Sequence, residues 1–275
     1  MENLKGIKRK RRSRVLNRRP HNFWLVVVKN LLTVYYLLTM PWVARWLGAV
    51  YSRLYYEFGD SVFSLDEAVA ALGRGRGYVK AALSELCRSG WCVREGRGEY
   101  RLLTPTECVL VNGGLGEALA AVRGREYVPL VRKAVAEIFE LFGPSLMGVA
   151  LFGSVARGEA GPTSDVDLLV VAEGLPASYL ERASMLARVV ARTRGERAAL
   201  RRKGLYATLQ ILAYTPEELR VFHAFYFDLA LDAVVLYSRG GYMESLMRDV
   251  RRMLEEMGAV RVVRPGGRWY WVVRS

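Results

Sequence analysis

The chain has 275 residues, of which 52% are hydrophobic, enough to build packed cores in about two domains. This composition excludes disorder along most of the chain. Lys and Arg number 41 against 27 Asp and Glu, and +8 of the resulting net charge of +14 lies in residues 1–20. A block this basic predicts a disordered tail over residues 1–22 that attracts a polyanion, either nucleic acid or an anionic membrane surface.

The three cysteines, Cys87, Cys92 and Cys108, have neither metal-ligand spacing nor a nearby histidine. The sequence therefore predicts neither a zinc site nor a disulfide framework. Arg outnumbers Lys 34 to 7, and there are only five Asn and one Gln. Few thermolabile amides are typical of a heat-adapted protein, and the free cysteines favour a cytoplasmic one.

Residues 23–51 are strongly apolar and follow the basic tail, so a membrane anchor has to be considered. Only 15 uncharged residues separate Lys29 from Arg45, and Pro41 interrupts them. A helix needs about 20 apolar residues to span a bilayer. The stretch favours helices that pack on the next domain or on a partner; an interfacial or membrane helix and a misplaced start codon are the alternatives.

Residues 43–105 predict three helices followed by a hairpin. Gly59 ends the first helix, and Ser64 with Glu67 has the spacing of a capping box at the start of the second. A third helix ends at Gly90, and two short strands flank the turn at residues 95–98. With its helical lead-in from residue 23, this order resembles the winged helix-turn-helix family.

The resemblance implies a DNA-binding surface. The third helix would be the recognition helix in a major groove, and the hairpin would be the wing. Double-stranded DNA would be the partner, held by this module and by the basic tail. The alternative is a solvated cationic face on a module that only packs or dimerises. The candidate DNA-binding residues are Arg74, Arg76, Tyr78 and Lys80 on the helix and Arg94 and Arg97 on the wing.

The Gly113-Gly114 pair marks a boundary, with a linker over residues 106–127 and a second domain over residues 128–275. The domain opens with a helix over residues 128–142. Further on, residues 180–204 predict one long helix that crosses between strands. The chain closes with an amphipathic helix and a hairpin that turns at residues 265–267.

The stretch GVALFGSVARGEAGPTSDVDLLVV carries the chemistry. Gly153 lets the backbone approach a ligand, Ser154 adds a hydroxyl, and Arg157 offers a fork for phosphate oxygens. Asp165 and Asp167 alternate along the next strand, so both project from one face of it. Oxygen ligands beside a phosphate cradle favour Mg²⁺ or Mn²⁺.

This arrangement of GS, a turn and DxD on the next strand resembles the DNA polymerase beta-like nucleotidyltransferase superfamily, in particular its minimal nucleotidyltransferase branch. The resemblance implies a mixed sheet flanked by helices, and transfer of a nucleoside monophosphate from a nucleoside triphosphate, such as ATP, to an acceptor hydroxyl. Gly153, Ser154 and Arg157 would bind the nucleotide, and Asp165 and Asp167 would bind two divalent ions.

Members of this superfamily usually add a third carboxylate from a later, neighbouring strand. Residues 206–214 are the expected strand, and they contain Thr208 and Gln210 but no acid. Asp228 and Asp232 are the nearest later acids, either completing the site or serving as helix-end charges.

Two functions follow. The first is an enzyme, regulated or guided by DNA, that transfers a nucleoside monophosphate. The second is a DNA-binding regulator whose degenerate transferase domain senses a nucleotide or binds a partner protein. Minimal members of the superfamily often work with a separate helical partner, and a homodimer is the other possibility.

Overall fold

The computed structural model describes residues 43–264 and 269–273. The tail over residues 1–22 and most of the apolar stretch 23–51 lie outside the described residues, so those predictions stay open. From Arg45 onward the described residues form one compact unit. None of the helices in these two ranges is both long enough and apolar enough to cross a bilayer.

The N-terminal module has the predicted three helices and hairpin, with one short strand in addition. That strand, β1, pairs with β3 in an antiparallel sheet of order β1-β3-β2. The assignment of this module to the winged helix-turn-helix family stays a prediction. Its elements are α1 (Arg45–Phe58), β1 (Val62–Ser64), α2 (Leu65–Leu72), α3 (Arg76–Arg88), β2 (Cys92–Gly96) and β3 (Glu99–Leu102).

Local signals explain these boundaries. The Ser64 hydroxyl accepts from the Glu67 amide, and the Glu67 carboxylate accepts from the Ser64 amide at 2.7 Å, so the predicted capping box is present. Gly73 ends α2 in the left-handed region, with φ of +59°. The predicted apolar face of α3, which includes Leu83 and Leu86, is buried against the module.

The segment predicted as a linker, residues 106–127, is helical and packed. Thr104 and Glu107 form a second capping box at its start. Its apolar side chains recur every three to five residues and lie in the same core as the domain that follows, because that spacing places them on one side of the helical turns. Its elements are α4 (Pro105–Leu110), a π-helical turn (Val111–Leu115), α5 (Gly116–Ala121) and a 3₁₀ turn (Arg125–Tyr127).

A four-stranded sheet of order β6-β5-β4-β7 forms the centre of the C-terminal region. β5 and β6 run parallel, and the other pairs are antiparallel, so the sheet is mixed, as predicted. Its elements are α6 (Val128–Phe142), β4 (Leu146–Phe152), α7 (Gly153–Arg157), β5 (Val166–Ala172), α8 (Tyr179–Arg192), α9 (Arg194–Arg202), β6 (Leu209–Tyr214), α10 (Tyr226–Asp232), β7 (Val234–Ser238) and α11 (Tyr242–Glu256).

Helices cover both faces of this sheet. Leu168 and Val170 of β5 point into a core with α6, α8 and α9, whereas Leu169 and Val171 point into a second core with α10 and α11. The alternation follows from the period of two along a strand. All four of these side chains are fully buried, which explains the unbroken apolar run after the aspartates.

The long helix predicted over residues 180–204 is two helices, α8 and α9, so that prediction was wrong. The break falls at Thr193, whose hydroxyl donates to the Val190 carbonyl at 2.9 Å. The hydroxyl thereby competes for a carbonyl that, in a continuous helix, would accept only from the backbone amide four residues later. The predicted terminal hairpin is present as β8 (Ala259–Val263) and β9 (Trp269–Val273), with its turn outside the described residues.

Candidate active site

Two strand ends bring the parts of the GS and DxD motif together. β4 and β5 are antiparallel, and Phe152, the last residue of β4, pairs with Asp167 near the start of β5. Gly153 and Ser154 follow at once in the short helix α7. The glycine, the serine and the aspartates therefore share one end of the sheet, as the sequence predicts.

Gly153 has no room for a side chain. Its φ is +76°, in the left-handed region, and a Cβ atom placed there would overlap the carboxylate of Asp167. Ser154, next in the chain, is partly exposed. A glycine is thus required here both for its backbone conformation and for the close approach of an acid.

Asp165 and Asp167 are each partly exposed, while Val166 between them is buried. The pKa of Asp167 is raised to about 6, mainly by burial and also by the negative charges of Asp165 and Asp228, while the Arg157 guanidinium acts to lower it. The site therefore concentrates negative charge that a bound cation would relieve.

β6 places two uncharged polar side chains on Asp165. In the parallel register Asp167 pairs with Gln210, and the Thr208 backbone carbonyl accepts from the Val166 amide. The Thr208 hydroxyl donates to Oδ1 of Asp165, and Gln210 Nε2 donates to Oδ2 at 3.2 Å. Gln210 therefore stands on the neighbouring strand where a third acid was expected.

The Arg157 guanidinium lies between two carboxylates rather than in open solvent. Its Nε donates to Glu159 at 2.9 Å, and its Nη1 lies 3.4 Å from Asp228. Asp228 stands in the first turn of α10, and Asp232 ends the same helix. The sequence named Arg157 for phosphate and Asp228 as a possible acid; that the two form a pair is a tertiary fact that spacing along the chain does not reveal.

Within residues 43–264 and 269–273, no group of three His, Cys, Asp or Glu side chains is placed to hold a metal. Mg²⁺ does not need such a group, since proteins commonly bind it through one or two carboxylates and the phosphates of the substrate. Asp165 and Asp167 supply hard oxygen atoms, and burial of Asp167, together with the negative charges of Asp165 and Asp228, raises its pKa. The residues present fit a divalent cation of this kind.

All six residues predicted to bind DNA are exposed. Arg76 forms an ion pair with Asp66, and Arg94 Nε donates to the Gly96 carbonyl at 3.2 Å. The ring of Tyr78 lies 5.9 Å from that of Trp46. Arg74, Lys80 and Arg97 are exposed as well, so the face is accessible, although Asp66 offsets part of its charge.

Comparison with known families decides the identity of the C-terminal region. Residues 131–229, from α6 to α10, match the family model described as a nucleotidyltransferase domain. The chain contains a nucleotidyltransferase domain. The matched residues include the whole of the GS and DxD motif, so the predicted nucleotidyltransferase domain is confirmed, while its place in the minimal branch stays a prediction.

A protein of Methanocaldococcus jannaschii named as a protein adenylyltransferase is 49% identical to this chain over 49 residues. These are 18% of this chain and 33% of that protein, so the chain spans about a third of the length of this curated relative.

Solved structures with some similarity to part of this chain come from toxin-antitoxin pairs. One contains AMP-PNP; it is 17% identical, covers 45% of this chain and 86% of that chain, and has a TM-score of 0.31. Another, a HEPN toxin with an MNT antitoxin from Shewanella oneidensis, is 16% identical over 45% of this chain and 85% of that chain, with a TM-score of 0.28. Scores of this size are too low to assign a function or a partner.

Proposed function

We propose that the nucleotidyltransferase domain transfers a nucleoside monophosphate from a nucleoside triphosphate to an acceptor hydroxyl. One observation carries the proposal: the carboxylates of Asp165 and Asp167 stand beside a glycine that has no space for a Cβ atom. The absence of a Cβ atom lets the Asp167 carboxylate lie against the backbone at Gly153, so acidic groups for a cation and the Ser154 hydroxyl for a phosphate share one corner. The name of the Methanocaldococcus jannaschii relative supports ATP as the donor.

In this reaction the oxygen of the acceptor hydroxyl forms a bond to the α-phosphorus. The bond from that phosphorus to the oxygen bridging to the β-phosphate breaks, pyrophosphate leaves with the electron pair, and the hydroxyl proton is lost to solvent. Gly153 and Ser154 would hold the triphosphate, and Arg157, at the end of the same short helix α7, would bind its oxygens.

Asp165 and Asp167 would hold Mg²⁺ or Mn²⁺, which, when bound, neutralises phosphate charge and stabilises the leaving pyrophosphate. Thr208 and Gln210 act as positioning residues, because their donated hydrogen bonds fix the carboxylate of Asp165. Neither side chain can take up a proton from the acceptor. The acceptor hydroxyl is therefore expected to lose its proton without a dedicated base from β6.

The test is transfer from radiolabelled ATP, measured as pyrophosphate release, by the Asp165→Asn and Asp167→Asn variants. We expect both to lose at least 100-fold in rate, about 2.7 kcal/mol, while remaining folded by circular dichroism. Asp249→Asn, on the exposed face of α11, is the matched control and should keep full activity. Equal pyrophosphate release by all four proteins would overturn the proposal.

We further propose that residues 45–102 form a winged helix-turn-helix module that binds duplex DNA. The order of three helices and three strands, with β1 added to the hairpin, supports this, as does the exposure of the cations around α3. The Arg76→Ala/Lys80→Ala variant should bind duplex DNA more weakly. Its slope of log affinity against log salt concentration should be smaller in magnitude by about 2. If this double variant binds duplex DNA as tightly as the wild type, the groove assignment is wrong.

A further inference from the structure

The positive charge of residues 21–275 is concentrated in one short segment. Residues 188–203 contain seven Arg and Lys and a single acid, Glu196, and so carry +6. In the rest of residues 21–275, cations and acids number 25 each. Glu196 does not neutralise its neighbours along the segment, because its buried carboxylate pairs with Arg101 of β3 at 3.2 Å.

Six of the seven cations are exposed. Within the described ranges, none of the six forms an ion pair, so the solvent and its ions compensate their charge. This is unlike α11, where Arg252 pairs with Asp249 at 2.9 Å. The six are Arg188, Arg192, Arg194, Arg201, Arg202 and Lys203.

Three arginines of α9 line one pocket. Arg194, Arg197 and Arg201, with Ala198, surround a cavity of about 400 Å³. Their spacing of three and four residues places them in a row on one face of the helix, about 10 Å long at 1.5 Å per residue. We call these three residues the arginine row.

Arg197 has a donor that the protein leaves unused. Its Nη2 donates to the Val190 carbonyl at 2.8 Å, but its Nε is buried and has no hydrogen-bond partner among the described residues. A buried donor without an acceptor is costly, and Arg197 lines the pocket, so an anion bound there is the candidate acceptor. Two further guanidinium groups on the same row make that anion a phosphate rather than a halide, since each presents a fork of donors.

The topology brings α9 to the end of the sheet at which Asp165 lies. β5 begins beside Asp165 and runs away from it, and because β6 is parallel to β5, the α8–α9 connection must return to that same end. Thr208, whose hydroxyl donates to Asp165, is the fifth residue after Lys203. Five residues reach at most about 18 Å.

We propose that the arginine row binds the phosphodiester backbone of a nucleic acid. A single small anion would occupy one guanidinium fork, whereas a row about 10 Å long with further cations at both ends matches successive phosphates of one strand. This site lies on the nucleotidyltransferase domain and uses residues other than those proposed for DNA binding on α3 and those of the basic tail. Binding requires no nucleoside triphosphate, so the proposal is tested independently of the transfer reaction.

The experiment uses the full chain and two fluorescein-labelled probes of about 20 nucleotides, a single-stranded RNA and a duplex DNA, titrated at several salt concentrations without triphosphate. The Arg194→Ala/Arg197→Ala/Arg201→Ala variant should bind at least one of them at least tenfold more weakly. Its slope of log affinity against log salt should fall by about 2 for the single strand and by nearly 3 for the duplex. The probe whose affinity falls more identifies whether the arginine row binds single-stranded RNA or duplex DNA.

The matched control is Arg248→Ala/Arg251→Ala/Arg252→Ala on α11, which removes the same charge from the other face of the sheet. Because Arg197 also donates to Val190, the Arg194→Ala/Arg201→Ala variant provides a second measurement that leaves that contact intact. The proposal is overturned if the control loses as much affinity as the arginine-row variants. It is also overturned if labelled poly-glutamate binds as tightly as the nucleic acids with the same sensitivity, which would indicate an acidic protein instead.

Discussion

The carboxylate of Asp167 lies so close to the backbone of Gly153 that a Cβ atom on the glycine would overlap it. Two residues fourteen positions apart are thus in contact because β4 and β5 are antiparallel neighbours and the pair Phe152 and Asp167 is in register. The contact joins the two halves of the motif into one site and yields the first prediction.

Gly153→Ala should abolish transfer and lower the free energy of unfolding. An alanine at a positive φ is destabilised by about 1 kcal/mol, and its Cβ atom must also displace the Asp167 carboxylate. Gly174→Ala is the matched control, since Gly174 has φ of +68° but nothing within 4 Å of a Cβ atom. Gly153→Ala should lose more stability in urea unfolding, and more activity in pyrophosphate release, than Gly174→Ala. Equal losses in the two variants would mean that the overlap with Asp167 is unimportant.

The stability of the metal-free protein should depend on pH through Asp167. Its pKa is raised to about 6 in the folded state, mainly by burial, against an ordinary value of about 3.9 when unfolded. The unfolded state therefore loses the proton first, so the contribution of Asp167 is favourable below about pH 4 and is lost as pH rises through about 6.

Removing the carboxyl group of Asp167 tests the predicted direction of this pH dependence. Asp167→Asn should become more stable relative to the wild type as pH increases from about 4 to above 6, in urea unfolding with a chelator present. Asp249→Asn, an exposed acid on α11, should show no such trend. A difference between Asp167→Asn and the wild type that stays constant with pH would contradict the assignment of the raised pKa.

Gln210→Glu should tighten the binding of Mn²⁺. The register of β5 and β6 pairs Gln210 with Asp167, so a glutamate there would add a third carboxylate at the expected position. We expect about a tenfold gain in affinity by calorimetry, about 1.4 kcal/mol, and a lower stability without metal because like charges repel. Gln210→Ala, which removes the bond to Asp165 without adding an acid, should bind Mn²⁺ no better than the wild type; a gain there would refute the explanation.

The ion pair of Arg101 with Glu196 should connect the N-terminal module to the nucleotidyltransferase domain. Its side chain is only 7% exposed and contacts Glu95 at 2.8 Å and Glu196 at 3.2 Å. Arg101→Met leaves the buried carboxylate of Glu196 uncompensated and should lower the free energy of unfolding by about 3 to 5 kcal/mol. Arg252→Met, which breaks a pair that is 68% exposed, should cost less than about 1 kcal/mol. Urea unfolding that gives similar losses for both would contradict this role.

Much of the candidate site could be predicted because it depends on local pattern. The period of two places Asp165 and Asp167 on one face of a strand, and the apolar run after them marks that strand as buried. The capping box at Ser64 and the absence of acid from β6 were equally visible. The family match over residues 131–229 confirmed the domain that these signals indicated.

Other features depended on contacts between distant parts of the chain. The apolar residues of 106–127 belong to a packed core instead of a linker, which requires the neighbouring α6 to cover them. Arg157 meets Asp228 only because α10 packs beside α7, and nothing in the spacing of 71 residues between them predicts it. The break at Thr193 is a local feature. It was not predicted because helix propensity, summed over many residues, does not reveal a single hydrogen bond from a threonine hydroxyl.

The amino-acid order alone determined which residues can do chemistry here and which strand carries them, because backbone periodicity and glycine conformation act over a few residues. Folding decided what those residues meet: Gln210 and Thr208 on Asp165, Arg157 between two carboxylates, and three guanidinium groups around one cavity. Such meetings are set by strand order, register and helix packing, and these depend on burying apolar surface over the whole domain.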